Sequence, residues 1–229
     1  MTRLVKLSAR QSVEASRLIG LDLDGTLVYH KLQYVWHVVN LVQFMHSLEP
    51  VNMRVTLDFW FAKRARDDII RTEFGWPKED TLDWWGTFNQ YDTPQARLKH
   101  TEPFEGASAA LASWQAKGKK LVVITACPSD KAGAQFRLLG VDKVKVITAN
   151  ELTSLPLKPN PQALIQAMES ARVSPSETCY IGDSREDHEF ALNAGVAFVH
   201  HQPLDKNLTG GYKPETAISF SDWRQLILA

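Results

Sequence analysis

The sequence predicts an α/β fold, a Rossmann-like parallel sheet with helices on both faces and an inserted all-helical module. Three observations predict it. The run Leu18, Ile19, Leu21 is densely apolar without alternation, as a strand covered on both faces requires. From Pro103 onward, strand-like runs alternate with helical spacing in regular βα order, the pattern of a parallel sheet. Between them, residues 28–102 show helical spacing without strand-like runs and hold five of the seven tryptophans, Trp36, Trp60, Trp76, Trp84 and Trp85. The expected division is a core of 1–27 and 103–229 with a helical module of 28–102. A chain of 229 residues is long enough to bury both.

Residues 1–17 carry Arg3, Lys6, Arg10 and Arg17 but no apolar segment long enough for a signal peptide or a membrane span, and no role is assigned to them. After the first strand, Leu32, Val35, Trp36, Val39, Val42 and Met45 recur at three and four residues, predicting a helix that ends near Pro50. Val55, Phe59, Ala62, Ala65, Ile69 and Ile70 predict a second helix before Gly75 and Pro77. On it, Lys63 with Asp67 and Arg64 with Asp68 are spaced for exposed ion pairs. Most of the tryptophans are expected to form the core of this small module.

In the second half, Ala107, Ala110, Leu111 and Trp114 mark a helix stopped by Gly118, and residues 120–126 form a strand. Ser129 is expected to cap the helix of Ala132, Phe136 and Leu139, which stops at Gly140 before a strand at 143–148. Asn160 and Pro161 open a helix containing Leu164, Ile165 and Met168. A strand at 179–182, a helix at 184–194 ended by Gly195, and a last core strand at 196–200 complete the pattern.

Lys plus Arg equals Asp plus Glu at 26 each, so overall charge points to neither nucleic acid nor an acidic membrane surface, and the expected partner is a small molecule. Two cysteines, Cys127 and Cys179, make no disulfide framework and fit a reducing cytoplasm. No stretch approaches twenty apolar residues, so a soluble protein is expected.

Ligands of parallel sheets bind beyond the carboxyl ends of the strands, where Asp22, Asp24 and Gly25 fall. Buried acids are costly unless paired or bound to metal, so the motif suggests a cation and chemistry; taken alone, an acidic turn is equally consistent. Thr125 leaves a second strand at the same edge, and Asp183 leaves a third, with Asp187 one helical turn further on. Lys158 arrives in the Pro-flanked segment Leu157-Lys158-Pro159-Asn160-Pro161.

This order of Asp-x-Asp-Gly-Thr at 22–26, an apolar strand ending in Thr125, Lys-Pro-x-Pro at 158–161 and Gly-Asp-Ser-x-x-Asp at 182–187 closely resembles the haloacid dehalogenase-like superfamily. Followed by Asn193-Ala194-Gly195, it looks like the phosphoglycolate phosphatase and β-phosphoglucomutase branch. The resemblance implies that Asp22 is the nucleophile that takes a phosphoryl group and that Asp24 acts as general acid and then base. It implies Mg²⁺ held by Asp22, the backbone carbonyl of Asp24, Asp183 and Asp187, and phosphate contacts from Thr125, the Ala126 amide and Lys158. The helical module resembles the cap of this branch, which implies a small phosphorylated metabolite as substrate. The implied activity is a Mg²⁺-dependent phosphatase acting through an aspartyl phosphate. The alternatives are a phosphomutase using the same intermediate and a non-catalytic binding member.

The chain departs from the branch after Thr125, where Ala126 and Cys127 stand in place of the usual Asn. Cys127 is expected to be a small packed hydrophobe, His200 and His201 exposed strand-end histidines, His188 part of a solvated helix face and Arg185 an exposed cation.

Overall fold

The computed structural model describes residues 8–61, 65–149, 154–205, 208, 210–215 and 217–228. The chain divides into two compact units, Met1–Tyr29 with Pro103–Ala229, and His30–Glu102. In chain order the elements begin with α1 (Ala9–Ala15), β1 (Leu18–Leu21) and β2 (Val28–His30). The helical unit follows with α2 (Leu32–Met45), α3 (Met53–Trp60), α4 (Arg66–Thr72), α5 (Leu82–Tyr91) and α6 (Pro94–His100). The chain then runs through β3 (Thr101–Pro103), α7 (Ala107–Ala116), β4 (Lys120–Thr125), α8 (Ser129–Arg137), β5 (Lys145–Thr148) and α9 (Gln162–Ala171). It ends with β6 (Thr178–Gly182), α10 (Arg185–Asn193), β7 (Ala197–His201), β8 (Ile218–Phe220) and a 3₁₀ turn at Trp223–Leu226.

Six strands form a parallel sheet in the order β5-β4-β1-β6-β7-β8, as the α/β reading predicts. The chain builds outward from β1 in one direction and then returns to build in the other, so the strand order reverses between β1 and β6. Such a switch point opens a crevice at the carboxyl ends, the place where ligands of these sheets bind. Leu21 is in register with Val123 on one side and Ile181 on the other, which brings the ends of β1, β4 and β6 level.

Side chains alternate across the sheet and fill two cores. Ile19, Leu21, Val123 and Ile181 pack with Leu111, Trp114 and Phe136 on one face. Leu18, Val122, Ile124 and Tyr180 pack with Leu164, Met168 and Phe190 on the other. Gly20 makes room on that second face. A Cβ at this position would lie 2.7 Å from Cδ2 of Tyr180, so the bare backbone is what admits that ring.

Several elements differ from the sequence-based expectation. The N-terminal segment contains α1, started by a capping box in which Ser8 and Gln11 exchange backbone and side-chain bonds, and it buries Val13 in the core. Ser129 is the first residue of α8 rather than its side-chain cap; Pro128 holds the cap position. Strand β5 starts at Lys145 because Lys143 adopts a left-handed conformation that a strand cannot continue through. The sheet does not end at β7: β8 adds a sixth strand, and the following turn buries Trp223 and Leu226. Trp114 donates its indole N–H to the Leu226 carbonyl at 2.8 Å, which closes this last segment against α7.

The helical unit has its own core. Phe59, Phe74, Trp84 and Phe88 stack and tilt on one another at centroid distances of 5.2 to 6.1 Å. Trp76 and Trp84 are buried and Trp60 and Trp85 half-buried, whereas Trp36 is exposed and donates its N–H to the Val51 carbonyl. The helix expected from Val55 through Ile70 is two helices, α3 and α4. Ala62 and the expected pairs of Lys63 with Asp67 and Arg64 with Asp68 lie outside the described residues. The segment also carries short strands at its two ends, β2 and β3, which pair as a ribbon. Among the described residues, no helix is long and apolar enough to cross a membrane.

Candidate active site

Strand β1 ends just before Asp22, whose N–H donates to the Ile181 carbonyl at 2.9 Å, and strand β6 ends at Gly182, immediately before Asp183. The first turn of α10 adds Asp187. All three carboxylates are buried, and each offers an oxygen within 4.8 Å of the others. Lys158 reaches the same place from the loop before α9, and its Nζ lies 2.6 Å from Asp22 Oδ1 and 2.6 Å from Asp187 Oδ1. The structure therefore brings Asp22, Asp183, Asp187 and Lys158 together.

Supporting contacts fix each member. Ser184 caps α10 by accepting from the Asp187 N–H, while Asp187 Oδ2 accepts from the Ser184 N–H at 3.1 Å and its hydroxyl at 2.6 Å. Thr26 donates to Asp183 Oδ1 at 3.2 Å. The Tyr180 hydroxyl donates to the Ile124 carbonyl at 3.0 Å and accepts from Lys158 at 3.4 Å. Gly25 has φ of +86°, and a Cβ there would stand 2.6 Å from Asp183 Oδ2. A Cβ on Gly182 would stand 2.4 Å from Asp187 Cβ. Gly182→Ala is thus expected to displace the start of α10 and cost about 1–3 kcal/mol, read as a lower denaturation midpoint; an unchanged midpoint would contradict the packing.

Among the described residues, three carboxylates face one ammonium, a formal surplus of two negative charges when all three are ionised. Burial pushes Asp22 up to about 7, reinforced by the charges on Asp187 and Asp24 and opposed by Lys158. Burial, with Asp187 and Asp22 beside it, also holds Asp183 well above the usual carboxylate range. For Lys158, burial disfavours the charge, yet the Asp187 and Asp22 carboxylates outweigh it and hold the ammonium protonated. Buried, hard oxygen donors with surplus negative charge suit Mg²⁺, and the donor set fits the ion the family resemblance implies.

Asp24 is not one of the three acids whose oxygens lie within 4.8 Å of one another. Its Oδ1 accepts from Gln135 Nε2 at 2.5 Å, and Gln135 Oε1 accepts from the Cys127 thiol at 3.4 Å. Thr125 is buried at the end of β4, where its Oγ1 accepts from the Cys127 N–H at 3.1 Å; Ala126 next to it is exposed. Sequence reasoning misses Tyr180, Ser184, Thr26 and Gln135 as members of the site. Ser184 three residues before Asp187 is a readable capping pattern, but the others acquire their partners through the fold.

The histidines correct the sequence reading. His200 and His201 are each 1% exposed, because β8, Phe104, Phe220 and Trp223 cover the end of β7. His200 Nε2 lies 3.3 Å from the Asp183 carbonyl, and His201 Nδ1–H donates to the Gly25 carbonyl at 3.0 Å. His188 is half-buried rather than solvated, stacked on Phe198 and 2.8 Å from the Tyr212 hydroxyl.

Burial lowers His201 from 6.5 to about 4, so the folded chain holds it neutral. Its contribution to stability is complete above about pH 6.5 and is lost as pH falls toward 4, at about 1.4 kcal/mol per unit. The total is about 3 kcal/mol. In urea titrations from pH 7 to pH 4.5, His201→Phe is expected to lose stability less steeply than the parent; parallel slopes would contradict the assignment.

A family model for haloacid dehalogenase-like hydrolases matches residues 19–200. The chain is 27% identical over 226 residues to a phosphoglycolate phosphatase of Pasteurella multocida, covering 90% of this chain and 92% of that one. It is 25% identical over 185 residues to the pyrophosphatase PpaX of Halalkalibacterium halodurans, covering 76% and 78%. Among solved structures, a haloacid dehalogenase superfamily hydrolase of subfamily IA from Geobacter sulfurreducens superposes with a TM-score of 0.69 at 20% identity, covering 96% of this chain and 98% of that one. That likeness shows the fold.

Proposed function

Because the chain belongs to the haloacid dehalogenase-like hydrolases, we propose that it is a Mg²⁺-dependent phosphatase that cleaves a small phosphomonoester through an aspartyl phosphate on Asp22. The observation that carries this reading is the buried pairing of Lys158 with both Asp22 and Asp187 beside Asp183 at the sheet's switch point. A buried ammonium bridging two acids orients Asp22 and supplies positive charge where phosphoryl oxygens would sit.

In this account Asp22 attacks phosphorus while Asp24 protonates the departing oxygen, a contribution on the order of a hundred- to ten-thousand-fold for a positioned general acid. Asp24 then takes the proton of the water that hydrolyses the acyl phosphate. Covalent transfer divides one difficult displacement into two. The Thr125 hydroxyl, whose oxygen already accepts from the Cys127 amide, is left to donate its hydrogen to a phosphoryl oxygen. Asp22, Asp183, Asp187 and the Asp24 carbonyl would hold Mg²⁺, which supplies charge neutralisation for the transferring group.

The relatives are a phosphoglycolate phosphatase and a pyrophosphatase, which supports a small phosphorylated substrate here. The helical unit, with a core of its own, is proposed as the cap that selects among such esters. Cys127 and Cys179, both buried thiols outside any disulfide, support a reducing, cytoplasmic setting. The test is phosphate release across a panel of small phosphate esters with Mg²⁺ and with EDTA. Release in Mg²⁺ that EDTA abolishes is expected. Isomerisation of a sugar phosphate without net phosphate release, or silence across the panel, would overturn the proposal.

A further inference from the structure

We propose that Gln135 is a positioning residue for Asp24, holding the acid of the phosphatase reaction in one orientation through a hydrogen bond that Cys127 in turn orients. The inference rests on the phosphatase reading and goes beyond it by assigning control of the proton-transfer group to a helix distant in sequence.

Gln135 lies on α8 with 0% exposure, and a buried amide is stable only when its donors and acceptor are matched. Two of its neighbours match it in one sense. The amide NH₂ faces Asp24 and donates to its Oδ1 at 2.5 Å. The carbonyl oxygen then faces the Cys127 thiol, which donates at 3.4 Å. Turning the amide over would set its carbonyl against the Asp24 carboxylate and its NH₂ against a poor acceptor. The arrangement is therefore locked from both ends.

Asp24 is the acid that this amide addresses. It follows β1 by three residues, precedes the left-handed Gly25, and lies outside the trio of Asp22, Asp183 and Asp187. A hydrogen bond of 2.5 Å is short and geometrically selective. The bond from Gln135 engages Oδ1 and restrains rotation of the carboxyl group. Cys127 stands where the chain departs from the branch pattern after Thr125, and the departure acquires a purpose, since the thiol orients the amide that orients the acid.

The consequence is selective. Protonation matters most when the departing oxygen is a poor leaving group such as an alkoxide, and little when it is a nitrophenolate. The parameter kcat/KM ends with departure of the leaving group, so hydrolysis of the aspartyl phosphate, common to all esters, does not enter it.

The experiment compares kcat/KM for an alkyl phosphate and for 4-nitrophenyl phosphate in the parent, Gln135→Met, Cys127→Ser and Cys127→Ala. Gln135→Met is close in volume and lacks the donor. It is expected to lose about ten- to a hundredfold on the alkyl ester and less than about threefold on the aryl ester. Cys127→Ser retains a donor and is expected to keep the parent ratio, whereas Cys127→Ala shifts it in the direction of Gln135→Met. Equal losses on both esters, or none on either, would overturn the inference. Should Gln135→Met fail to fold, the Ser and Ala variants decide it through the same ratio. A parent protein inactive on both esters would sink the phosphatase reading itself; an active parent with parallel losses in the variants would sink this inference alone.

Discussion

Asp22→Asn is expected to lose at least about a thousandfold in phosphate release while its melting temperature stays level or rises. The two effects have one cause. Burial, opposed by Lys158 and reinforced by the charges on Asp187 and Asp24, pushes the Asp22 carboxyl up to about 7. The folded chain therefore binds the proton more tightly than the unfolded chain, where the ordinary value is 3.8. By linkage, the contribution of this group to stability is full below about pH 4 and is lost as pH rises through about 7. Asparagine keeps the shape and removes the ionisation, so in EDTA the variant gains on the parent as pH rises from 5 to 8. Lys158 keeps Asp187 as its partner in the variant. Calorimetry at the two pH values beside a phosphate assay checks both halves. Full activity in Asp22→Asn would contradict the role assigned to Asp22, and a melting temperature that falls equally at both pH values would contradict the electrostatics.

Lys158→Met is expected to have the opposite signature, losing both activity and stability. Lys158 is bonded at 2.6 Å to each of two buried carboxylates. Removing one partner of a buried pair leaves charge without compensation and costs about 3–5 kcal/mol. For a chain of this size each kcal/mol shifts the midpoint by about 2–4 °C, so a fall of about 10 °C is expected. The double variant Lys158→Met with Asp22→Asn tests the mechanism of that loss. With one of the stranded acids neutralised, it should be more stable than Lys158→Met alone, a non-additivity that contacting residues show and distant ones do not. Strict additivity would mean that Lys158 stabilises the fold through packing alone.

The parts of the molecule legible in the sequence are those that depend on local period and on where strands end. Asp22, Thr125 and Asp183 follow apolar runs, and a parallel sheet in register carries such residues to one edge. Lys158 lies on an irregular loop and is legible only through its motif, since no period predicts where a loop side chain points. Ser184 is readable as a cap, but its second bond, to Asp187 Oδ2, closes a reciprocal pair that ties the helix start to the acid. What escapes the sequence depends on contacts between segments far apart in the chain. Gln135 meets Asp24 across 111 residues, and no pattern within α8 distinguishes it from a surface amide. The three residues of β8 are too few to show alternation, and without that strand His200 and His201 read as exposed ends rather than as a buried pair. Tyr180 looks like any core aromatic in its strand; its hydroxyl becomes meaningful only because Gly20 lets the ring lie against β1 with Lys158 at 3.4 Å.

The most direct test of the account is the identity of the side chain that carries phosphate during turnover. The protein is mixed with a substrate that it hydrolyses in Mg²⁺, quenched rapidly in acid, reduced with borohydride and mapped by peptide mass spectrometry. The account predicts homoserine at position 22, the product of a reduced aspartyl phosphate. Phosphate carried by any other side chain would contradict it.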